Sequence, residues 1–201
     1  MRIMYDLVEI FESLQGEGRN TGRPCVFVRF AGCNLACPWC DTETKRKFSV
    51  GLEELAAEIS TFRAKSVVLT GGEPTIAREM PELIARLKSL GYWIAVETNG
   101  LVAAQWLQFV DYVAVSPKME FAGRYDPQTM LRSADEVRIV ASGEDAAGFC
   151  REMKRLISAA DYYVSPCDRG GEIDFATAKS VLSELDGWSL SVQLHKILGF
   201  R

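Results

Sequence analysis

Val67-Val68-Leu69-Thr70-Gly71-Gly72-Glu73-Pro74 runs into Met80-Pro81-Glu82-Leu83-Ile84-Ala85-Arg86-Leu87 and then into Trp93-Ile94-Ala95-Val96. A β-branched apolar run, a glycine-bearing loop, a segment of helical period and a second apolar run make one strand-helix-strand unit. In the middle segment Met80, Leu83, Ile84, Leu87 and Leu90 share a helical face, and Pro81 is tolerated in the first turn. This is the rhythm of a parallel α/β sheet.

The same rhythm recurs in both directions. Further apolar runs are Val26-Phe27-Val28-Arg29-Phe30, Tyr112-Val113-Ala114-Val115, Val137-Arg138-Ile139-Val140, Tyr162-Tyr163-Val164 and Leu190-Ser191-Val192-Gln193-Leu194. Leu52, Leu55, Ala56 and Ile59 form another helical stripe, and Glu144 to Ala160 and Glu172 to Leu185 are rich in helix formers without internal proline. Polar loops are expected after the strands: Ala31-Gly32-Cys33, Thr70 to Pro74, Glu97-Thr98-Asn99-Gly100, Ser116-Pro117-Lys118 and Ser165-Pro166-Cys167-Asp168. In a parallel sheet these loops share one edge, where α/β proteins place their sites whether the sheet is open or rolled into a barrel.

The 201 residues are 48% hydrophobic, 25% charged and 10% aromatic, a composition that excludes disorder and collagen-like repeats. Neither a repeat nor a Pro/Ser-rich linker divides the chain, so one domain over 1–201 is expected. The net charge of -4 leaves no broad basic footprint for nucleic acid, and Lys45-Arg46-Lys47 is too short to supply one. No apolar run reaches the roughly 18 residues needed to span a bilayer, and Met1 to Asp6 lacks the apolar core of a signal peptide. A cytoplasmic location is expected, with a small molecule or a protein as partner.

Six cysteines in such a chain point to metal binding or catalysis, because the cytosol keeps thiols reduced. Three are clustered as Cys33-x3-Cys37-x2-Cys40. Structural zinc takes four protein ligands, usually in two separated pairs, and would need Cys25, Cys167 or His195 to complete it. Three thiolates suit an iron-sulfur cube better, its fourth iron being left open for a small chelating molecule. Cys25, Cys150 and Cys167 read as small buried hydrophobes, and His195, the sole histidine, as a structural hydrogen-bonding group.

The cysteine spacing after the first barrel strand, with Thr70-Gly71-Gly72-Glu73-Pro74 one strand later, resembles the radical S-adenosylmethionine enzymes. That resemblance implies an incomplete (β/α) barrel of mostly parallel strands and a 4Fe-4S cluster on Cys33, Cys37 and Cys40. It also implies S-adenosylmethionine, chelated by the open iron and split by one electron into a 5'-deoxyadenosyl radical. Backbone groups of the Gly71-Gly72-Glu73 turn would reach the methionine amino group.

A closer resemblance, over nearly the whole chain, is to the 7-carboxy-7-deazaguanine synthase family of the queuosine and deazapurine pathway. It is carried by Phe11 to Gly18, Thr21-Gly22-Arg23-Pro24, Arg29 in the first strand, Cys40-Asp41-Thr42, Leu69 to Pro74, Val96 to Gly100, Val115-Ser116-Pro117-Lys118 and Gln193-Leu194-His195-Lys196. It implies that Leu14, Gln15, Gly16, Arg29 and Thr70 bind the substrate 6-carboxy-5,6,7,8-tetrahydropterin. It implies that Trp39, Asp41, Gly72, Ser116, Pro117 and Lys118 line the S-adenosylmethionine site, and that Thr42 is a magnesium ligand. Hydrogen abstraction from C6, ring contraction and loss of ammonia would follow, with a reductase or flavodoxin-type electron donor and a homodimeric assembly. Ser165-Pro166-Cys167-Asp168 stands where some relatives have Gln-Pro, and the terminal Gly199-Phe200-Arg201 is left without a role. Two other readings stay open: a glycyl-radical activating enzyme acting on a protein partner, and a zinc-binding interaction module.

Overall fold

A computed structural model describes residues 3–200; Met1, Arg2 and Arg201 lie outside the described residues. The strands are β1 (Met4–Leu14), β2 (Pro24–Phe30), β3 (Phe48–Gly51), β4 (Ser66–Gly71), β5 (Trp93–Thr98), β6 (Tyr112–Val115), β7 (Glu136–Ala141), β8 (Asp161–Asp168), β9 (Ile173–Asp174) and β10 (Ser189–Leu190). The helices are α1 (Leu52–Ser60), α2 (Met80–Ser89), α3 (Ala146–Leu156), α4 (Phe175–Ser183) and α5 (Leu194–Leu198). The strands form a single sheet in the order β10-β8-β7-β6-β5-β4-β2-β1-β3, with β9 added on β8. From β2 to β10 neighbouring strands are parallel, whereas β1 returns antiparallel between β2 and β3. The path ends at β10 and β3, which do not pair, so the barrel is incomplete as expected.

Strand parity sorts the residues. Val28, Phe30, Val67, Leu69, Ile94, Val96, Val115, Val137 and Ile139 pack with Leu55, Ile59, Leu83, Ile84 and Leu87 of the helices in the main core. The alternate positions, Phe27, Val68, Ala95, Tyr112 and Ala114, form a second apolar cluster with Phe11 and Cys25 on the inner face. Successive strand residues point to opposite faces, so each strand feeds both cores.

Two sequence expectations need correction, and one strand was not expected at all. β1, the longest strand, carries Asp6, Glu9 and Glu12 among its apolar residues, and its pairing slips between Leu7 and Glu9; that bulge breaks the period of two that would have announced it. Ser165 to Asp168 is not a loop, since β8 continues through Asp168 and Pro166 pairs with Ala141. The run at Leu190 to Leu194 stops pairing after Leu190, and Leu194 opens α5 instead, its backbone N–H bonding the Gly16 carbonyl at 3.1 Å.

Candidate active site

The carboxyl ends of the parallel strands open onto a cavity of about 480 Å³, within the usual range of small-molecule sites. Of the fifteen side chains or backbones expected at a site, all but Pro117 line it: Leu14, Gln15, Gly16, Arg29, Cys33, Cys37, Trp39, Cys40, Asp41, Thr42, Thr70, Gly72, Ser116 and Lys118. Pro117 is buried behind the wall, where it carries the chain from Ser116 to Lys118.

Parity explains the floor. Arg29 pairs across the ladder with Thr70, and one register step beyond Leu69↔Val96 sets Thr70 beside Glu97. These residues and Arg138 therefore project inward, one layer above the apolar inner cluster. The Glu97 carboxylate accepts hydrogen bonds from Gln15 Nε2 at 3.0 Å, Thr70 Oγ1 at 2.9 Å and Arg138 Nη2 at 2.6 Å. Burial alone would raise the Glu97 pKa, but the Arg138 guanidinium and these donors outweigh it and bring the group down to about 2. Arg138, with a side chain only 6% exposed, also meets Glu17 at 3.1 Å and Glu136 at 2.9 Å. Its own pKa is held above the ordinary value: burial opposes the charge, and the three carboxylates overcome that opposition. The floor thus presents a carboxylate that is ionised at neutral pH, held in place by donors from three different segments.

Glu73 has a different task. Its carboxylate is 2% exposed and accepts from Thr75 N and Oγ1, Thr98 Oγ1 and Asn99 N at 2.6–3.0 Å. It ties the turn after β4 to the end of β5. Gly71 adopts φ of +107°, and a Cβ on Gly72 would overlap the Gly32 carbonyl oxygen, which also accepts from Glu73 N at 2.9 Å. The immediate demand for glycine here is contact between this turn and the start of the cysteine loop.

That loop, residues 31–47, has no regular helix or strand and is pinned at its base by Ala31 N to Asp6 O, Gly32 N to Thr44 O and Lys47 N to Leu7 O at 2.8–2.9 Å. Cys33, Cys37 and Cys40 are free thiols on its cavity side. Burial pushes the Cys33 and Cys37 thiols up; neighbouring thiols push the same way, and Lys118 pulls both back. Among the described residues, no three His, Cys, Asp or Glu side chains converge on one point as a single metal ion requires. Cys25 lies in the inner apolar cluster and Cys167 outside the cavity wall, so neither supplies a fourth thiolate. Three cavity-facing thiols, with Cys25 and Cys167 placed elsewhere, fit a cluster held by three cysteines with one open iron better than four-ligand structural zinc.

The far wall is held by a chain of contacts. Lys118 Nζ donates to Ser116 Oγ at 2.7 Å and lies 5.1 Å over the Trp39 ring, whose Nε1 donates to Glu120 at 2.6 Å. Thr42 Oγ1 accepts from Arg29 Nη1 at 3.0 Å and reaches Asp41 Oδ1 at 3.4 Å. Sequence reasoning did not assign Glu17, Glu97, Arg138, Gln193 or His195 to the site, and Glu73 only through its backbone, although all line the cavity. The available signal was charge at inward parity, as in Arg138 within Val137-Arg138-Ile139-Val140.

Comparison with known proteins agrees with this geometry. Residues 27–118 match the model of the Radical SAM superfamily. The chain is 45% identical to a 7-carboxy-7-deazaguanine synthase of Neisseria meningitidis, with 97% of this chain and 93% of that protein covered. It is 42% identical to one of Haemophilus influenzae over the same shares. The crystal structure of QueE from Escherichia coli has the same fold, with a TM-score of 0.75, 24% identity, and 96% and 95% of the two chains covered. Among the described residues no helix is long and apolar enough to cross a membrane. With its half-barrel, three-thiol loop and relatives matched nearly end to end, the chain belongs to the 7-carboxy-7-deazaguanine synthase family of the Radical SAM superfamily.

Proposed function

We propose that this chain, acting as one domain in the cytoplasm, converts 6-carboxy-5,6,7,8-tetrahydropterin to 7-carboxy-7-deazaguanine with loss of ammonia. The observation that carries this reading is the arrangement of Arg29, Thr70, Gln15 and ionised Glu97 on one cavity floor, in the same cavity that the three thiols line. Cys33, Cys37 and Cys40 would hold a 4Fe-4S cluster, and Trp39, Asp41, Gly72, Ser116 and Lys118 would line the S-adenosylmethionine side. Bound there, cluster and S-adenosylmethionine supply one-electron cleavage chemistry that begins a radical reaction on the substrate.

The protein's part is binding and exclusion. Arg29 offers a guanidinium to the substrate carboxylate, while Glu97 accepts from the N–H edge of the pterin. Leu14 and Gly16 close the rim and the apolar cluster below keeps water out. Thr42 brings one neutral oxygen donor, which suits magnesium because that ion fills most of its positions with water and substrate oxygens. A reductase or flavodoxin-type electron donor and a homodimeric assembly complete the proposal.

The test is anaerobic turnover by reconstituted protein given the pterin, S-adenosylmethionine, reductant and magnesium. Product and ammonia in equal amounts are expected, and Thr42→Ala should change the magnesium dependence while leaving the iron content alone. No deazapurine under those conditions defeats the reading; deuterium recovered from a protein partner would favour the activating-enzyme alternative.

A further inference from the structure

We infer that Lys196 is a positioning residue that clamps the C-terminal turn onto the cysteine loop, coupling the substrate side of the cavity to its cofactor side. The inference rests on the function proposed above for the meaning of those two sides, but the clamp itself is a matter of geometry.

α5 is only five residues long and contains no buried residue; Ile197 and Leu198 are 49% and 66% exposed. Neither helix propensity nor apolar burial can hold so short a segment in place. Polar contacts hold it instead. Leu194 N bonds Gly16 O, Gln193 Nε2 bonds Glu17 Oε1 at 2.8 Å, and Lys196 Nζ lies between Asp41 Oδ2 at 2.6 Å and Asp168 Oδ2 at 2.8 Å. The first two contacts grip the loop after β1, which carries Gln15 and Gly16. The third reaches the cysteine loop, because Asp41 stands between Cys40 and Thr42.

The ammonium is shielded where it matters: the side chains of Lys196 and Asp168 are 18% and 16% exposed, and that of Asp41 is 49%. An ion pair with a half-exposed carboxylate is ordinarily weak, but one ammonium shared by two carboxylates and anchored at the shielded one is better placed. β8, a strand of the barrel itself, provides that anchor through Asp168. The cysteine loop, with no regular structure of its own past its base, is thereby fixed to the scaffold at Asp41. Gln193 and His195 of the same turn line the cavity, so the clamp also completes the wall. Released, the turn would loosen both the Gln15-Gly16 rim and the Cys40-Asp41-Thr42 end of the loop.

Hydrogen exchange of residues 37–42 and 193–200 tests this in the full chain, as purified and after anaerobic cluster reconstitution. In Lys196→Met both segments should exchange faster by about tenfold, the size of effect expected when a charge-assisted tie is lost. Iron content should be retained. In turnover, KM for S-adenosylmethionine should rise by about tenfold with a smaller change in kcat, and 5'-deoxyadenosine formed per product should rise several-fold. Lys196→Arg should restore both exchange and coupling, since a guanidinium can meet two carboxylates.

Faster exchange confined to 193–200, with residues 37–42 and the product ratio at wild-type values, would reduce Lys196 to a local staple and overturn the inference. If Lys196→Met does not fold, Asp168→Asn removes the shielded anchor, and unchanged exchange at 37–42 in that variant overturns it equally. Wild-type protein that makes no deazapurine would defeat the proposed function alone, because the exchange comparison needs no substrate.

Discussion

Along β2, β4, β5 and β7, neighbours in sequence belong to different worlds: Val28 beside Arg29, Leu69 beside Thr70, Val96 beside Glu97, Ile139 beside Arg138. The first of each pair is fully buried against the helices, and the second lines the cavity. The outer face gains its stability from apolar area alone, at roughly 25 cal/mol per Å² removed from water. The upper inner face holds charged groups that are partly buried, Arg138 most deeply, and pairing is what makes them tolerable there. The same backbone therefore supports two kinds of order: one redundant and spread over many contacts, the other specific and concentrated in a few.

That difference is easiest to break at Arg138. In Arg138→Met the carboxylates of Glu17, Glu97 and Glu136 lose their shared cation, and Glu136 is 2% exposed. Unfolding free energy should fall by about 3–5 kcal/mol, as when one partner of a buried pair is removed; a value from denaturant titration within about 1 kcal/mol of wild type would mean the carboxylates reorganise freely. On the outer face Leu69→Ala should cost about 3 kcal/mol through lost transfer energy and cavity formation. Substrate KM in the surviving folded enzyme should nevertheless stay within about twofold, because the deletion spreads over a many-membered core. A tenfold KM change would show that the two faces are not mechanically separate.

The outer face was legible in the sequence because its pattern is simple. Leu83, Ile84 and Leu87 repeat at helical spacing, and Val67 and Leu69 alternate, so α2 and β4 were placed within a residue or two. β1 was not legible, because its bulge and its acidic residues destroy the alternation that reveals a strand. Leu190 to Leu194 was read as one strand from its composition, but pairing ends at Leu190 and contacts with the distant Gly16 and Glu17 accompany the turn of the chain into α5. At the site the cysteines, Arg29, Thr70 and Lys118 stood out through motif spacing. Glu97 and Arg138 did not, since a charge in a strand gives no hint of which partners long-range folding will bring to it. Gly72 was read toward a ligand, whereas its nearest constraint is the Gly32 carbonyl; the sequence shows that glycine is needed without showing what approaches it.

Glu97→Gln offers the finest discrimination between the two faces. The amide keeps an acceptor for Thr70 Oγ1, but its NH₂ must then face donors from Arg138 and Gln15. At neutral pH a loss of about 1–2 kcal/mol is expected, below either substitution above, alongside a much larger loss of turnover if Glu97 meets the substrate. The acid dependence separates charge from shape. Glu97 falls from 4.5 to about 2 on folding: burial opposes ionisation, and Arg138 with its hydrogen-bonding companions overcomes it. The stabilisation from its ionised form is therefore complete above pH 4.5 and disappears as pH falls from there toward 2. Every other carboxylate is common to wild type and variant, so their difference in unfolding free energy isolates this one group. That difference should shrink steadily between pH 5 and pH 3 in denaturant titrations. A constant difference across that range would mean that packing, rather than the paired charge, makes Glu97 belong where it is, and the inner face would then obey the same rule as the outer one.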